Sequence, residues 1–193
     1  MVNRRLKQIF AAAVGIVFVV SIMYGFASMN VGNPTQLAYE IIIPQSLVKP
    51  TSSLYTTGLV GNSSSTGQNL TLIGSVAYTP ISSLNATTIG GLTNDILRAN
   101  NMSASISGGQ LTCIYSSQFT GQICDNTTTN SYWYLYLGLN GATPTLYSTN
   151  PLAPMNVKLS SVIGSTAFFV LQYQLGNNQN KISSTGGTPP PKI

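Results

Sequence analysis

The chain has 193 residues, and 6% of them are charged, against roughly 25% in an ordinary soluble domain. Eight Lys and Arg residues oppose three Asp and Glu residues, and three of the eight bases lie within the first seven positions. This distribution argues against a nucleic-acid partner, because neutralising phosphates requires clustered Lys and Arg.

The sequence also contains few residues that could act as catalytic bases or metal ligands. Histidine is absent, and the three carboxylates, Glu40, Asp95 and Asp125, are scattered along the chain. A serine nucleophile needs a base beside it, and a metal site needs clustered ligands. We therefore expect a protein that is not an enzyme and that carries no cofactor or metal.

The N-terminus predicts export from the cytoplasm. A basic segment precedes Ile9–Ala27, an uncharged apolar run of 19 residues. Such a run is typical of a signal peptide, here cleaved after Ala27, or of a retained membrane anchor. A third interpretation is an archaeal pilin-type leader cut near Lys7, whose apolar helix persists as a filament core. Each interpretation places the protein at the cell surface or outside the cell, with membrane contact during export or through this helix.

The rest of the sequence predicts one domain between two flexible segments. Its strand patterns indicate an α+β domain that is predominantly β, with one short helix. The predicted parts are a signal peptide or anchor over 1–27, a flexible arm over 28–36, an extracellular head over 37–175 and a disordered tail over 176–193.

The first predicted strand of the head follows the flexible arm directly. Side chains alternate across a strand, so Leu37, Tyr39, Ile41 and Ile43 share one apolar face, and Pro44 ends the run. Such a strand either pairs within its own sheet or inserts into the sheet of a neighbouring copy, where alternate side chains fill pockets.

The remaining elements follow from periodicity and turn residues. Gly74 predicts a bulge, and Thr87 or Thr88 can cap the helix. The predicted helix covers Thr88–Asn100, and the predicted strands lie within Leu54–Val60, Leu70–Thr79, Ala104–Ser107, Gln110–Ser116, Gln118–Cys124, Asn156–Leu159 and Thr166–Gln174.

A further stretch, Ser131–Gly141, has the largest apolar surface and reads as a central strand that is covered on both faces. It ends in Asn140-Gly141, the pair that a type I′ turn requires. Its tyrosine row, Tyr132, Tyr134 and Tyr136, could stack a planar ligand or a sugar. A core or a subunit interface is the preferred interpretation of such a row.

Cys113 and Cys124 are the only cysteines, and in an exported chain an isolated pair is typical of a structural disulfide. Sequons for N-glycosylation are also present, although a chain this rich in Asn, Ser and Thr contains several by chance. The predicted glycan acceptors are Asn62, Asn69, Asn85, Asn101 and Asn126.

The order of elements from Leu70 to Tyr173 resembles the transcobalamin-like C-terminal module, a β-grasp domain of exported proteins. The matching residues are the helix Ile89–Leu97, Tyr132-Trp133 with the Asn140-Gly141 turn, and Val162 to Ser165 before Phe168–Tyr173. Ser165 stands where that family usually has an acidic turn. The resemblance implies a β-grasp-like fold and a binding or adhesive module; cobalamin binding does not carry over from a single domain of this kind. An immunoglobulin-like sandwich is the alternative fold.

The general build also resembles subunits of archaeal surface threads and pili, which are exported, almost uncharged and rich in Ser, Thr and Asn. That resemblance implies a homopolymer in which Leu37–Ile43 is donated to the adjacent head. The alternative is a secreted or membrane-anchored β-grasp module for ligand binding or adhesion.

Overall fold

The computed structural model describes residues 35–62, 68–150, 152–162 and 166–176. These residues belong to one compact unit that begins at Thr35. The predictions for the signal or anchor, for nearly all of the arm and for the tail beyond Gly176 concern residues outside this description. Among the described residues, no helix combines the length and apolar character needed to cross a membrane.

The described part of the chain is rich in β-structure, as the sequence predicts. Its helices are α1 (Leu54–Thr57) and α2 (Ile89–Ala99). Its strands are β1 (Gln36–Pro44), β2 (Leu59–Asn62), β3 (Asn69–Pro80), β4 (Ser103–Ser107), β5 (Gln110–Tyr115), β6 (Ile123–Cys124), β7 (Tyr132–Leu139), β8 (Thr145–Leu146) and β9 (Thr166–Gln174). The expected α+β class, predominantly β in a single domain, is confirmed.

Two sheets organise the fold. The large sheet has six strands in the order β2-β3-β1-β9-β7-β8, and the small sheet has three in the order β4-β5-β6. Strand β1 runs antiparallel to β3 and parallel to β9, whereas the other paired strands are antiparallel. The large sheet is therefore mixed, and its one parallel pair joins the first and last strands of the head.

The main hydrophobic core unites one face of the large sheet with α2 and the small sheet. It contains Tyr39 and Phe169 from the large sheet, Leu92 from α2, and Leu111 and Ile114 from β5. The opposite face of the large sheet carries a second apolar cluster. Both faces of the central strands are consequently buried, which explains their nearly continuous apolar sequences.

Helix α2 matches its prediction because its local signals agree with its packing. Thr88 accepts a hydrogen bond from the Gly91 N–H and caps the N-terminus, and the apolar face that holds Ile96 and Leu97 is buried. The predicted turn is also present, since Asn140 and Gly141 have φ angles of 52° and 79°.

Several sequence predictions are wrong in detail. Leu54–Thr57 is helical, so only the end of the predicted Leu54–Val60 strand, from Leu59, is extended. In Asn156–Leu159, Lys158 forms one bridge to Thr88, and Leu159 begins a 3₁₀ turn. Only the last two residues of Gln118–Cys124 form a strand. Local periodicity cannot settle such short segments, because tertiary contacts decide their backbone conformation.

The aromatic strand β7 is buried on both faces, as predicted, but it is not central. It lies next to the edge, between β9 and the two-residue strand β8. The centre of the sheet is formed by β1 and β9, which are the first and last strands of the described head.

Candidate assembly site

The most deeply buried strand of the head is β1. Its predicted apolar face, Leu37, Tyr39, Ile41 and Ile43, points into the main core, and each of these side chains is 0% exposed. Ile42, on the opposite face, is equally buried in the second cluster. An apolar strand with both faces covered contributes to the core much as a central strand of a parallel sheet does.

Backbone pairing holds both sides of β1. Toward β9 the parallel register runs from Gln36 opposite Thr166 to Ile42 opposite Gln172. Toward β3 the antiparallel register runs from Gln36 opposite Pro80 to Pro44 opposite Leu70. The strand therefore occupies a slot between β3 and β9, and it uses its main-chain donors and acceptors on both sides.

A bulge shapes the wall of this slot. Ile41 pairs with Gly74 and Ile42 pairs with Leu72, so Ile73 is the extra residue in β3. This confirms the irregularity that the sequence predicts at Gly74. A Cβ atom at Gly74 would lie 2.5 Å from the Cγ2 of Ile96, which shows that the glycine allows α2 to approach β3 closely.

Tyr39 anchors the strand to the core through its ring and its hydroxyl. Its ring packs edge-on against Phe169, with centroids 6.4 Å apart and planes at 86°. Its hydroxyl lies 2.8 Å from the Oγ1 of Thr93 in α2. Burial raises the pKa of the Tyr39 phenol, while the hydrogen bond to Thr93 opposes this shift.

The burial of β1 is large on the scale of protein stability. Burying one large aliphatic or aromatic side chain contributes about 1.5–3 kcal/mol, so the five fully buried large side chains contribute about 8–15 kcal/mol before entropy is counted. Whole domains are stable by only 5–15 kcal/mol. A head with an empty slot would therefore be unstable unless another strand filled it.

A single chain connection, at Pro44, joins β1 to the rest of the unit, because β1 is the first element after Thr35. A 3₁₀ turn over Gln45–Leu47 follows it. A strand that is joined to the other elements of its unit at one end can leave its slot without unthreading any of those elements.

The predicted disulfide is confirmed: Cys113 on β5 is bonded to Cys124 on β6. The indole Nε1 of Trp133 donates to the Ile123 carbonyl at 3.1 Å, and the Tyr173 hydroxyl donates to the Cys124 carbonyl at 2.6 Å. Disulfides of this kind are typical of oxidising compartments, which agrees with an extracellular location.

Asp125 follows the disulfide and ties the two sheets together. Its Oδ1 accepts the Trp133 N–H at 2.9 Å, and its Oδ2 accepts from the Gln110 side chain at 3.1 Å. Burial raises the pKa of the Asp125 carboxyl, although both hydrogen bonds act in the opposite direction. This carboxylate has a structural role in holding β5 beside β7.

Four predicted glycan acceptors can be located, and all four are exposed. Asn69 begins β3, Asn85 lies in the loop before α2, and Asn101 follows α2 with a φ of 56°. The Oδ1 of Asn126 accepts the N–H groups of the Asx turn that it begins. The side chain of Asn62 lies outside the described residues, and glycosylation itself stays a prediction.

The tyrosine row offers little surface to a ligand. Tyr134 and Tyr136 are 1% and 2% exposed, and Tyr132 is half-buried. Gln174 donates to the Tyr136 hydroxyl at 2.7 Å, and burial raises the pKa of Tyr136 to about 12. Stacking a ligand requires an accessible ring face. The rings of Tyr134 and Tyr136 therefore cannot stack the planar ligand or sugar that the sequence left open.

An open groove of about 700 Å³ lies beside the disulfide loop. Hydroxyl and amide groups line it, together with the ring of Tyr115 and the ammonium group of Lys49. Within the described ranges, no three His, Cys, Asp or Glu side chains are grouped closely enough to hold a metal ion. The carboxylates Glu40, Asp95 and Asp125 lie on β1, on α2 and after β6.

Sequence reasoning missed two buried glutamines at the end of β9. Gln172 and Gln174 are each 5% exposed, and neither Oε1 atom has a hydrogen-bond partner in the described structure. Their i, i+2 spacing within an otherwise apolar strand was the available signal, because it places both amides on the face shared with Tyr136.

No family model, no curated protein and no solved structure matches this chain. Support for a function therefore comes from strand β1, the slot that it occupies and the composition of the chain.

Proposed function

We propose that this chain is an exported, non-enzymatic subunit of an extracellular filament, in which β1 of one copy fills the slot between β3 and β9 of the next. The partner is another copy of the same chain. Export and surface location are part of the proposal, and so is membrane contact through the apolar N-terminal run.

The position of β1 carries the proposal. The strand is the first of the compact unit, it is buried on both faces, and Pro44 is its one link to the other strands. Exchanging an identical element between copies preserves every contact of the slot, which makes such exchange a low-cost route to assembly. The same pairing also leaves no new sheet edge exposed.

Composition supports the same proposal. A surface with few charges and many Ser, Thr and Asn side chains keeps a nearly constant charge over a wide pH range, which suits an external structure. The disulfide supports an oxidising location. With no histidine in the sequence and three dispersed carboxylates, a structural role is favoured over catalysis.

The alternative is a secreted or anchored module for ligand binding or adhesion. It has less support, because the burial of Tyr134 and Tyr136 removes most of the surface on which it was based. The groove beside Tyr115 is one candidate site for such a module, and no residue in its lining selects a particular ligand.

A head that lacks residues 28–43 tests whether the slot accepts a strand from another molecule, which the proposal requires. We expect this head to be insoluble or loosely packed by itself, and to recover near-UV circular dichroism when a synthetic peptide of residues 35–44 is added. A control peptide with Ile41→Ser and Ile43→Ser should not rescue it. A truncated head that is folded, soluble and unchanged in assembly would contradict the proposal.

A further inference from the structure

The chain that follows β1 is held by the disulfide loop, which is the segment closed by the Cys113–Cys124 bond. We call the contact between this loop and Leu47–Lys49 the clamp. Lys49 donates its backbone N–H to the Gln118 carbonyl, and Thr120 donates its backbone N–H to the Leu47 carbonyl, both at 2.9 Å. These two bonds form an antiparallel bridge centred on Val48 and Phe119. The connection between β1 and the head is thus fixed within a few residues of the strand.

Side chains strengthen this clamp. Lys49 donates its ammonium group to the Ser117 carbonyl at 2.8 Å, and the hydroxyl of Ser52 donates to the Gln118 amide oxygen at 2.8 Å. Val48 and Phe119 are 1% and 2% exposed and belong to the main core. The clamp therefore combines backbone pairing with apolar burial, unlike a chance contact between two loops.

The loop that forms the clamp is itself held at its base. Cys113 and Cys124 face each other in the two-pair ladder of β5 and β6 and are covalently joined. A ladder of two pairs is too short to fix a loop by itself. The disulfide supplies the constraint, and Trp133 and Tyr173 bind the adjacent carbonyls.

The clamp limits the connection between the end of β1 and Leu47 to Gln45 and Ser46. Two extended residues span about 7 Å, whereas the nine residues from Gln45 to Ser53, just before α1, would span about 31 Å. The distance between a strand and the head that owns it therefore depends on whether Leu47–Lys49 stays clamped.

We infer that the disulfide-closed loop fixes the length of the connection between the exchanged strand and its own head, and thereby sets the spacing of neighbouring subunits in the filament. This inference rests on the proposed strand exchange. It adds a role for Cys113, Cys124 and the clamp residues that strand exchange alone does not require.

Two matched insertions in the full chain test it. The first places Gly-Ser-Gly-Ser after Pro44, before the clamp, and the second places the same four residues after Pro50, beyond the backbone bridge at Leu47–Lys49. Pro50 and Thr51 are exposed, so the second site tolerates added chain. Electron cryomicroscopy then measures the axial rise and the bending of the filaments formed by the two variants and the parent chain.

The first insertion should lengthen or blur the axial rise by up to about 14 Å and make the filaments more flexible, or should abolish regular assembly. The second should leave the rise unchanged. Equal effects of the two insertions, or a larger effect of the second, would overturn the inference. If the parent chain forms no filament with exchanged strands, the proposed function itself fails and the inference fails with it.

The disulfide is tested separately in filaments that have already formed. Dithiothreitol added to these filaments should broaden the distribution of the rise in the same way as the first insertion, and filaments assembled separately from the double variant Cys113→Ser and Cys124→Ser should show the same broad distribution. An unchanged rise after complete reduction would show that the disulfide does not set the spacing.

Discussion

The hydroxyl of Tyr39 on β1 lies 2.8 Å from the hydroxyl of Thr93 on α2, and both residues are fully buried. Thr93 donates its own proton to the Ile89 carbonyl at 2.8 Å, so Tyr39 is the donor in the bond between them. The Tyr39 hydroxyl is the only polar side-chain group on the apolar face of β1. Its hydrogen-bonding requirement is met because the Thr93 Oγ1 accepts its proton.

This pair predicts unequal effects of two single substitutions. Thr93→Val should destabilise the head by about 1–3 kcal/mol, because the Tyr39 hydroxyl is left buried without an acceptor. Tyr39→Phe should cost only about 0.5–1.5 kcal/mol, since Thr93 keeps its bond to Ile89. Urea unfolding of both variants and of the double variant completes the cycle. If Thr93→Val costs less on the Tyr39→Phe background than in the parent chain, the coupling is confirmed; full additivity would contradict it.

Alkaline pH should unfold the head. Burial raises the pKa of Tyr136 to about 12, above its ordinary value of 10, and the pKa of Tyr39 is also raised. The folded state therefore binds more protons than the unfolded state above pH 10, so stability present below pH 10 is lost as the pH rises toward 12. Urea midpoints between pH 8 and 11.5 measure this loss. Tyr136→Phe should flatten the decline, and an unchanged slope would contradict the assignment.

Asp125 predicts a smaller dependence of the stability of the head on pH, in the acid range. Its folded pKa is raised, so the stability that protonation confers is present below the ordinary carboxyl pKa and is lost as the pH rises through the folded value. Asp125→Asn keeps a carbonyl oxygen for the Trp133 N–H and removes the charge. The variant should equal the parent near pH 3 and be at least as stable at pH 7. A variant that is much less stable at pH 7 would show that the charge itself is stabilising.

Gly74 predicts that no larger side chain fits between β3 and α2 at this position. Gly74→Ala places a methyl group against Ile96 where α2 crosses β3, and we expect a cost of about 1–3 kcal/mol from overpacking. Gly121→Ala is the matched control, because no atom lies within 4 Å of a Cβ at that position. Thermal unfolding compares the two variants; equal melting temperatures would contradict the close approach.

How much could be predicted from the sequence depends on the range of the interactions. Helix α2, the Asn140-Gly141 turn and the disulfide were predictable because capping, positive φ and cysteine pairing act locally or through few residues. The apolar face of β1 was also predictable, because apolar side chains recur at every second position of the strand.

The neighbours of β1 were not predictable. Its parallel partner, β9, begins more than 120 residues later, and the alternation of one strand carries no information about which edge it will pair with. The position of β7 beside the short strand β8 depends on the same long-range order. The clamp on Leu47–Lys49 was not predictable for a further reason: its two backbone bonds can form in any sequence, and its two side-chain bonds join residues that are 68 and 66 positions apart.

Cross-linking between two different chains tests strand exchange most directly. Glu40 on β1 faces Ser75 on β3 in the antiparallel register. Chains with Glu40→Cys and chains with Ser75→Cys are mixed, assembled and oxidised, so a new disulfide can join only two separate polypeptides.

We expect covalent dimers that contain one chain of each kind. We expect almost none when Ser83→Cys replaces Ser75→Cys, because exposed Ser83 lies beyond the end of β3. Filaments that assemble normally and yield no such dimers would contradict the exchange of β1.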